Sequence, residues 1–406
     1  MPEAVIVSAA RSPIGRAVKG SLRSMRADDM AAAMVRAALA AVPALDPHTI
    51  DDIMLGCAQP AGEQGYGMAR VVAVMLGLDG VPGTVSQRFC ASSLQTTRMA
   101  FHAIRAGEAH ALVSGGAESV SHYDHGKSDG MPETKNPVFA PAMTASAERA
   151  EAEPAEWADP RDAGLLPNVY LAMGETAENV AALKNVSRRR QDEFGARSQQ
   201  LAQQAIAAGF FATDITPIEL ADGTTVSTDD GPRPGVTPES LAGLKPAFRP
   251  GGTVTAGNCC PLNDGAAALV VLSDVRAAEL GLTPLARIVS TGVSGVSPEI
   301  MGMGPVEASR RALANAGMSV DDIDLIEINE AFAAQVLPCI DELKLDPEKV
   351  NVHGGAIALG HPFGQTGARM TTTLINGLRF RDAQTGLATM CAAGGQGMAL
   401  ILERLS

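Results

Sequence analysis

The chain has 406 residues, 46% of them hydrophobic and 19% charged, a balance that excludes a disordered or fibrous protein and fits a globular one with a large core. Lysines and arginines number 32 against 45 aspartates and glutamates, and a net charge of −13 argues against nucleic acid or an anionic membrane as the main partner, though not against a local basic pocket. Aromatics make up only 3%, so the core must be built from Ala, Val, Leu, Ile and Met.

No apolar run approaches the roughly 20 residues that span a bilayer. The start, Met1-Pro2-Glu3-Ala4-Val5-Ile6-Val7, lacks a basic n-region, so no signal peptide is expected. Cys57, Cys90, Cys259, Cys260, Cys339 and Cys391 form no C-x-x-C pair. Free thiols in a reducing cytoplasm are the simplest expectation.

Taken in order, Val5–Ala10 reads as a buried strand and 28–42 as an Ala-rich helix with an apolar stripe at Met30, Met34, Val35 and Leu39. A strand at Ile53–Leu55, a helix over 67–77, and Thr84-Val85-Ser86 follow. Next comes Gln87-Arg88-Phe89-Cys90, leading into a helical run over 91–105, and then a strand over Ala111–Ser114. Strands alternating with helices predict a parallel sheet covered on both faces. Residues 119–165 lose the periodicity, 174–184 and 187–208 are predicted helices with Ser187 as an N-cap, and 221–252 is rich in Gly, Pro, Asp and Thr. Arg188-Arg189-Arg190 fits a solvated helix face better than a phosphate site.

The second half repeats the first. Ala286–Ser290 echoes the opening strand, Arg310–Ala314 echoes Arg36–Ala40, and Asp321–Leu325 echoes Asp51–Leu55. Arg369-Met370 echoes Arg98-Met99 at an offset of 369 − 98 = 271, which carries Cys90 onto His361. A duplicated α/β unit with one long excursion follows: residues 1–118 with 251–275 as the first half, 119–250 as the insertion, and 276–406 as the second half. Switch points of two such units would face a shared crevice.

Cys90 stands just before a helix, where unpaired N–H groups and the dipole are expected to lower a thiol pKa. Read alone it fits a small core cysteine better than a nucleophile, and the rest of the chain reverses that. His361 lies in Gly360-His361-Pro362, after a glycine-dense stretch. Cys391 ends a strand before Ala392-Ala393-Gly394-Gly395, and Asn329-Glu330-Ala331-Phe332 ends the strand Leu325–Ile328. A thiol nucleophile needs a base and an acyl-transfer site needs oxyanion donors, and this set supplies both. Cys57, Cys259 and Cys339 are core candidates. His122 and His125 are spaced for a helix face, but their neighbours do not suggest a helix, and no metal is predicted.

These motifs, with Thr255-Ala256-Gly257-Asn258 and Leu262-Asn263-Asp264-Gly265, resemble those of the thiolases, the acetyl-CoA acyltransferase family, over the whole chain. The resemblance implies an α/β, five-layered αβαβα fold from two duplicated βαβαβαββ-type halves, with the insertion as a loop domain over the active site. It implies Cys90 as acyl-carrying nucleophile, His361 as its activator, and Cys391 as general acid and base. Asn329 would hold a water completing one oxyanion hole, and the N–H groups of Cys90 and Ala393 would form the other. Coenzyme A and acyl-CoA are the implied substrates, with no permanently bound cofactor. A homodimer or homotetramer is expected, and a hydratase/dehydrogenase partner of β-oxidation is a further reading.

Two departures bear on substrate choice. Ala172 stands where short-chain biosynthetic thiolases carry a histidine beside the methionine retained here as Met173. Cys260 replaces a serine that usually meets the pantetheine. Met173, Cys260, Phe332 and Ala393 are the expected substrate contacts. The resemblance therefore points to 3-ketoacyl-CoA thiolysis, with acetoacetyl-CoA formation as the alternative. A ketoacyl-synthase relative, which pairs its cysteine with two histidines, fits poorly. A thiolase-like acyl-CoA-binding protein without turnover is the alternative of another class.

Overall fold

A computed structural model of the chain describes residues 1–126, 133–152 and 157–406, excluding the side chain of His125. The chain opens with β1 (Ala4–Arg11), β2 (Gly15–Arg16), α1 (Ala27–Ala40), β3 (Asp52–Gly56), α2 (Met68–Met75), β4 (Gly83–Ser86), α3 (Ser92–Ala106) and β5 (Ala111–Ser119). Between β5 and the next sheet strand lie α4 (Tyr123–Gly126), α5 (Ala140–Glu151), α6 (Met173–Leu183), α7 (Arg188–Ala207), α8 (Phe211–Asp214), a hairpin of β6 (Ile218–Glu219) and β7 (Thr225–Val226), and α9 (Pro238–Ala242). Then follow β8 (Asn263–Ser273), α10 (Asp274–Glu279), β9 (Ala286–Gly295), α11 (Gly304–Ala316), β10 (Leu325–Ile328), α12 (Ala333–Leu343), α13 (Ala356–Leu359), α14 (Thr366–Phe380), β11 (Thr385–Ala392) and β12 (Gln396–Arg404).

The strands run in the order β10-β11-β12-β9-β1-β8-β5-β3-β4, with β2 added to β8. The halves meet at β1 and β9, which pair over Val5–Arg287 and Ile6–Ala286. The sheet is mixed, not all-parallel as the alternation predicted. β3 pairs in parallel with β4 and β5, and β10 with β11, but β8 and β12 return antiparallel. The cause in the second half is the connection: only Ala393-Gly394-Gly395 joins β11 to β12, too short for a crossover. Gly395 has φ +79°, and a Cβ there would collide with the carbonyl of Val296.

Alternation along the strands separates three cores and so five layers. On β8, Val270 and Leu272 face α1 and α2 with Met30, Met34 and Val72, while Leu269 and Val271 face the centre with Leu94, Met370 and Leu374. On β12, Leu400 and Leu402 join that centre, whereas Ala399 and Ile401 face Val306, Val336 and Ile340 of α11 and α12. α3 and α14 form the middle layer. They cross so closely that a Cβ on Gly367 would collide with the backbone of Leu94, and Ala368 N donates to Ser93 Oγ at 2.9 Å.

The boundaries of these two helices correct the repeat register. The paired helices start at Ser92 and Thr366 and end at Ala106 and Phe380, an offset of 366 − 92 = 274 rather than 271. By helix position, the counterpart of Cys90 is Gly364. The Arg-Met echo is a local likeness displaced by about one turn, and His361 reaches the site because its lead-in is longer. Ser187 does cap α7, accepting from Arg190 N. The three arginines are all occupied: Arg188 with Asp192, Arg189 with Glu193, and Arg190 with Asp341. His122 closes a short 3-10 turn that runs into α4, helical structure that the local composition did not suggest; the side chain of His125 lies outside the described residues. Among the described residues, no helix is long and apolar enough to cross a membrane.

Candidate active site

Cys90 sits two residues before α3, in a turn rather than in the helix. Phe89 has φ +45°, a strained value for a bulky residue, worth about 1–3 kcal/mol. Ser92 holds the turn: its hydroxyl accepts from Arg88 N at 2.9 Å and donates to Phe89 O at 2.6 Å. Arg88 also reaches Gln95 and, at 2.7 Å, Gln396 at the start of β12, so the nucleophile turn is tied to the second half. Cys90 keeps some exposed surface, yet its thiol is not acidified as the helix-terminus argument expected. Burial pushes it up to about 12, and the carboxylate of Glu118 adds to the rise. The N–H groups of Cys90 itself and of Ala393 aim at the sulfur and pull the other way, without winning.

His361 is buried just ahead of α14. Its N–H donates to Asn263 Oδ1 at 2.9 Å, and Nδ1 lies 2.6 Å from Thr366 Oγ1. The Thr366 hydroxyl donates to Pro362 O at 2.6 Å, so it accepts from His361. That assigns the proton to Nδ1 and leaves Nε2 unprotonated, accepting from Asn329 Nδ2 at 3.2 Å. Burial, followed by the cation of Arg369, holds the imidazole down to about 3. At rest, both the thiol and the imidazole are therefore neutral.

Asn329 follows β10, and its Oδ1 is buried without a hydrogen-bond partner among the described residues. Cys391, second from the end of β11, is fully buried; desolvation raises its pKa well above the ordinary thiol value, and the nearby Cys90 raises it further. Cys260 lies within electrostatic reach of both Cys90 and Cys391. Its segment runs beside the other two motifs: Cys260 N donates to Ala331 O at 3.0 Å, Cys259 bridges Phe332, and Leu262 bridges His361. Phe332 is itself buried, edge-on to Phe248 at 5.9 Å, and Phe248 packs against Gly174 beside Met173. Ala393 is half-buried in the β11–β12 turn. The crevice between the α3 and α14 N-termini thus gathers a thiol, an imidazole with an unprotonated nitrogen, an amide and a second thiol.

Residues 4–275 match the family described as "Thiolase, N-terminal domain", and residues 282–404 match "Thiolase, C-terminal domain". The chain belongs to the thiolase family. It is 45% identical to a 3-ketoacyl-CoA thiolase of Serratia proteamaculans and 43% identical to one of Photobacterium profundum, each over all of both chains. Among solved structures, it is similar to the Bacillus anthracis acetyl-CoA acetyltransferase (TM-score 0.85, 39% identity) and to human mitochondrial 3-ketoacyl-CoA thiolase (TM-score 0.85, 35% identity), covering 100% of this chain and 99% of each. Thiolases are acyltransferases, and the five-layered fold here is theirs.

Several residues of this thiolase site had no role assigned from the sequence. Thr366 sets the His361 tautomer, and Asn263 anchors its backbone. Glu330 is buried and accepts from Ser198 Oγ at 2.6 Å, Asn351 Nδ2 at 2.8 Å and Ile357 N at 3.1 Å, fastening the Asn329 strand end to α7 and to the His361 lead-in. Its place in the Asn329-Glu330-Ala331-Phe332 motif was the signal that could have flagged it. Cys57 and Cys339 are core residues and Cys259 packs against the core, as expected. Among the described residues, no cluster of His, Cys, Asp and Glu could hold a metal ion.

Proposed function

We propose that this thiolase cleaves 3-ketoacyl-CoA to acetyl-CoA and an acyl-CoA two carbons shorter, through a thioester on Cys90. The reading rests on one arrangement: a thiol with two N–H groups aimed at its sulfur, in the same crevice as an imidazole whose unprotonated Nε2 accepts from Asn329. Cys90 passes its proton to His361 Nε2 as sulfur attacks the 3-keto carbon. The resulting alkoxide is stabilised by the His361 proton and by a water held on Asn329 Oδ1. Cleavage of the C2–C3 bond leaves an acyl thioester on Cys90 and the enolate of acetyl-CoA, whose thioester oxygen or that of the acyl-enzyme rests on the Cys90 and Ala393 N–H groups. Cys391 protonates C2, acetyl-CoA leaves, and coenzyme A gives its thiol proton to Cys391 as it takes the acyl group, while the departing Cys90 thiolate takes its proton back from His361. Exchange of one thioester for another is nearly isoenergetic, so the direction follows concentrations.

Residues 119–250 are proposed to cover this crevice, and no permanently bound cofactor is needed. Exposed Arg16 and Arg233 line a pocket with Pro261, next to Cys260, and suit the phosphates of coenzyme A. Ala172, exposed at the N-cap of α6, leaves room for a longer acyl chain than a histidine would. Mixing pure protein with a medium-chain 3-ketoacyl-CoA, without free coenzyme A, should give the acyl mass on the Cys90 peptide. An adduct from acetoacetyl-CoA alone would favour the short-chain acetyltransferase, and none from either would favour a non-catalytic binding protein.

A cytoplasmic homo-oligomer is the proposed working form. β4 is a sheet edge, half-exposed along its length, beside Tyr66 (88% exposed), Val74 and Met75. Such an edge next to an apolar patch suits pairing with a second copy. Val74→Glu with Met75→Glu is expected to shift sedimentation toward the monomer; an unchanged assembly would place the interface elsewhere.

A further inference from the structure

Glu299 lies in the 3-10 turn after β9, fully buried, and its side chain reaches from the second half into the segment between β5 and β8. Its Oε2 accepts from Arg149 Nη1 of α5 at 2.6 Å and from Trp157 Nε1 at 3.0 Å, and its Oε1 accepts from Asn168 N at 3.0 Å. Its backbone carbonyl accepts from Asn179 Nδ2 of α6 at 3.0 Å. One residue thus holds several separate stretches of the insertion. These side-chain partners are donors and one is a cation, as a buried carboxylate requires.

The grip passes on toward the crevice. Asn168 is buried; its Oδ1 accepts from Tyr170 N at 3.1 Å and its carbonyl from Leu171 N at 3.3 Å, closing a turn that leads into Ala172 and Met173. Val169 sits within that turn. A Cβ on Gly394 would stand 3.8 Å from Phe89 Cε2 and 3.9 Å from Val169 Cγ2, so Val169 meets the β11–β12 turn beside Ala393, next to the strained residue that precedes Cys90. The segment carrying Glu299 backs the same turn: Val296 N donates to Gly395 O at 2.7 Å, and a Cβ on Gly395 would lie 2.8 Å from Pro298 Cα. Glu299 therefore fixes Val169 and the Ala393 turn against one frame. Among the described residues, none of 168–173 lines the pocket of Arg16, Arg233 and Pro261, so Val169 walls a different part of the crevice from the one assigned to coenzyme A.

We propose that Val169 is a specificity-determining residue that bounds the acyl end of the crevice, and that Glu299 is the positioning residue that holds it there. Both roles rest on Cys90 being the acyl-carrying nucleophile. An acyl chain attached at Cys90 starts beside Phe89 and Gly394 and runs along Val169. The acetyl group left by acetoacetyl-CoA is too short to follow that wall, whereas a medium chain must. A wall already fixed by a buried clamp needs no ordering when the chain binds.

The test compares a medium-chain 3-ketoacyl-CoA with acetoacetyl-CoA. Val169→Trp should lower kcat/KM for the medium chain by about 10- to 100-fold and leave the value for acetoacetyl-CoA nearly unchanged. Glu299→Gln should raise KM for the medium chain by about 10-fold with kcat nearly unchanged, because Glu299 touches no reacting atom. A merely structural role would instead depress both substrates alike. If Glu299→Gln does not fold, Trp157→Phe, which removes one donor and keeps an aromatic ring, should raise the same KM in the same sense. Equal effects on the two substrates in Val169→Trp, or none on either, would overturn the role of Val169. An unchanged medium-chain KM in the folded clamp variant would overturn that of Glu299. Absence of turnover of either substrate by the unsubstituted protein would instead remove the thiolase reading on which both rest.

Discussion

Cys90→Ala is expected to lower cleavage of a 3-ketoacyl-CoA by about 10⁴-fold or more and to leave no acyl mass on the chain. His361→Ala should cost about 10²–10⁴-fold, because the thiol then loses its proton acceptor while the fold keeps its middle layer. The two effects should be strongly non-additive, since proton and sulfur move in one step. The pH profile carries the sharper expectation. A protonated imidazole cannot accept the Cys90 proton, so the activity should fall only where His361 becomes charged. Burial and Arg369 hold that group down to about 3, so kcat/KM should show no acid limb near the ordinary histidine value of roughly 6.5. On the alkaline side, Cys90 is held up to about 12, so alkylation of the free enzyme should rise well above the usual thiol midpoint of roughly 8.5. A limb in kcat/KM near pH 6.5 that disappears in His361→Ala would sink the neutral-pair account.

Arg11→Ala is expected to destabilise the protein by about 3–5 kcal/mol, measured as a lower midpoint in urea unfolding. The guanidinium is fully buried, with Nε 2.7 Å from Asp214 Oδ2 and Nη1 2.6 Å from Asp229 Oδ1. Thr373 and Asn376 of α14 donate to Asp214, and Ile14 N donates to Asp229. Burial works against the Arg11 charge, but Asp229 and Asp214 outweigh it and hold the cation. Removing Arg11 would strand two buried carboxylates, each without its counter-charge. The cluster ties β1 and α14 to the segment between β5 and β8, so the damage should spread to the face that positions His361. Adding Asp214→Asn and Asp229→Asn to Arg11→Met should recover much of the loss, because no uncompensated charge then remains. If Arg11→Ala alone leaves the urea midpoint unchanged, the cluster contributes nothing beyond packing.

Much of the architecture could be read from local pattern. The apolar run at Val5-Ile6-Val7, the stripe of α1 and the strand Leu325–Ile328 are where their periodicity placed them, because a strand or helix with one or two buried faces must repeat apolar residues at its own period. Strand direction was less legible: β8 and β12 carry the same apolar code whether they run parallel or antiparallel. The pairing of halves was visible as a repeat, but its register was not. The Arg98-Met99 and Arg369-Met370 echo pointed to 271, while the helix starts at Ser92 and Thr366 set the offset at 274.

The chain's covalent order was enough to nominate a thiol before a helix, a histidine in a Gly-His-Pro turn, an asparagine at a strand end and a second strand-end thiol, because such chemistry demands those residue types. It could not say how any of them ionises. A helix start argues for an acidic Cys90, yet desolvation and Glu118, 28 residues further on, push the other way and win. His361 owes its tautomer to Thr366 and Pro362, and its low basicity to burial. Burial and charge contact are sums over neighbours distant in the chain, such as Glu118 with Gly364 or Arg11 with Asp214 and Asp229, and those sums exist only once the two halves and the segment between them have packed.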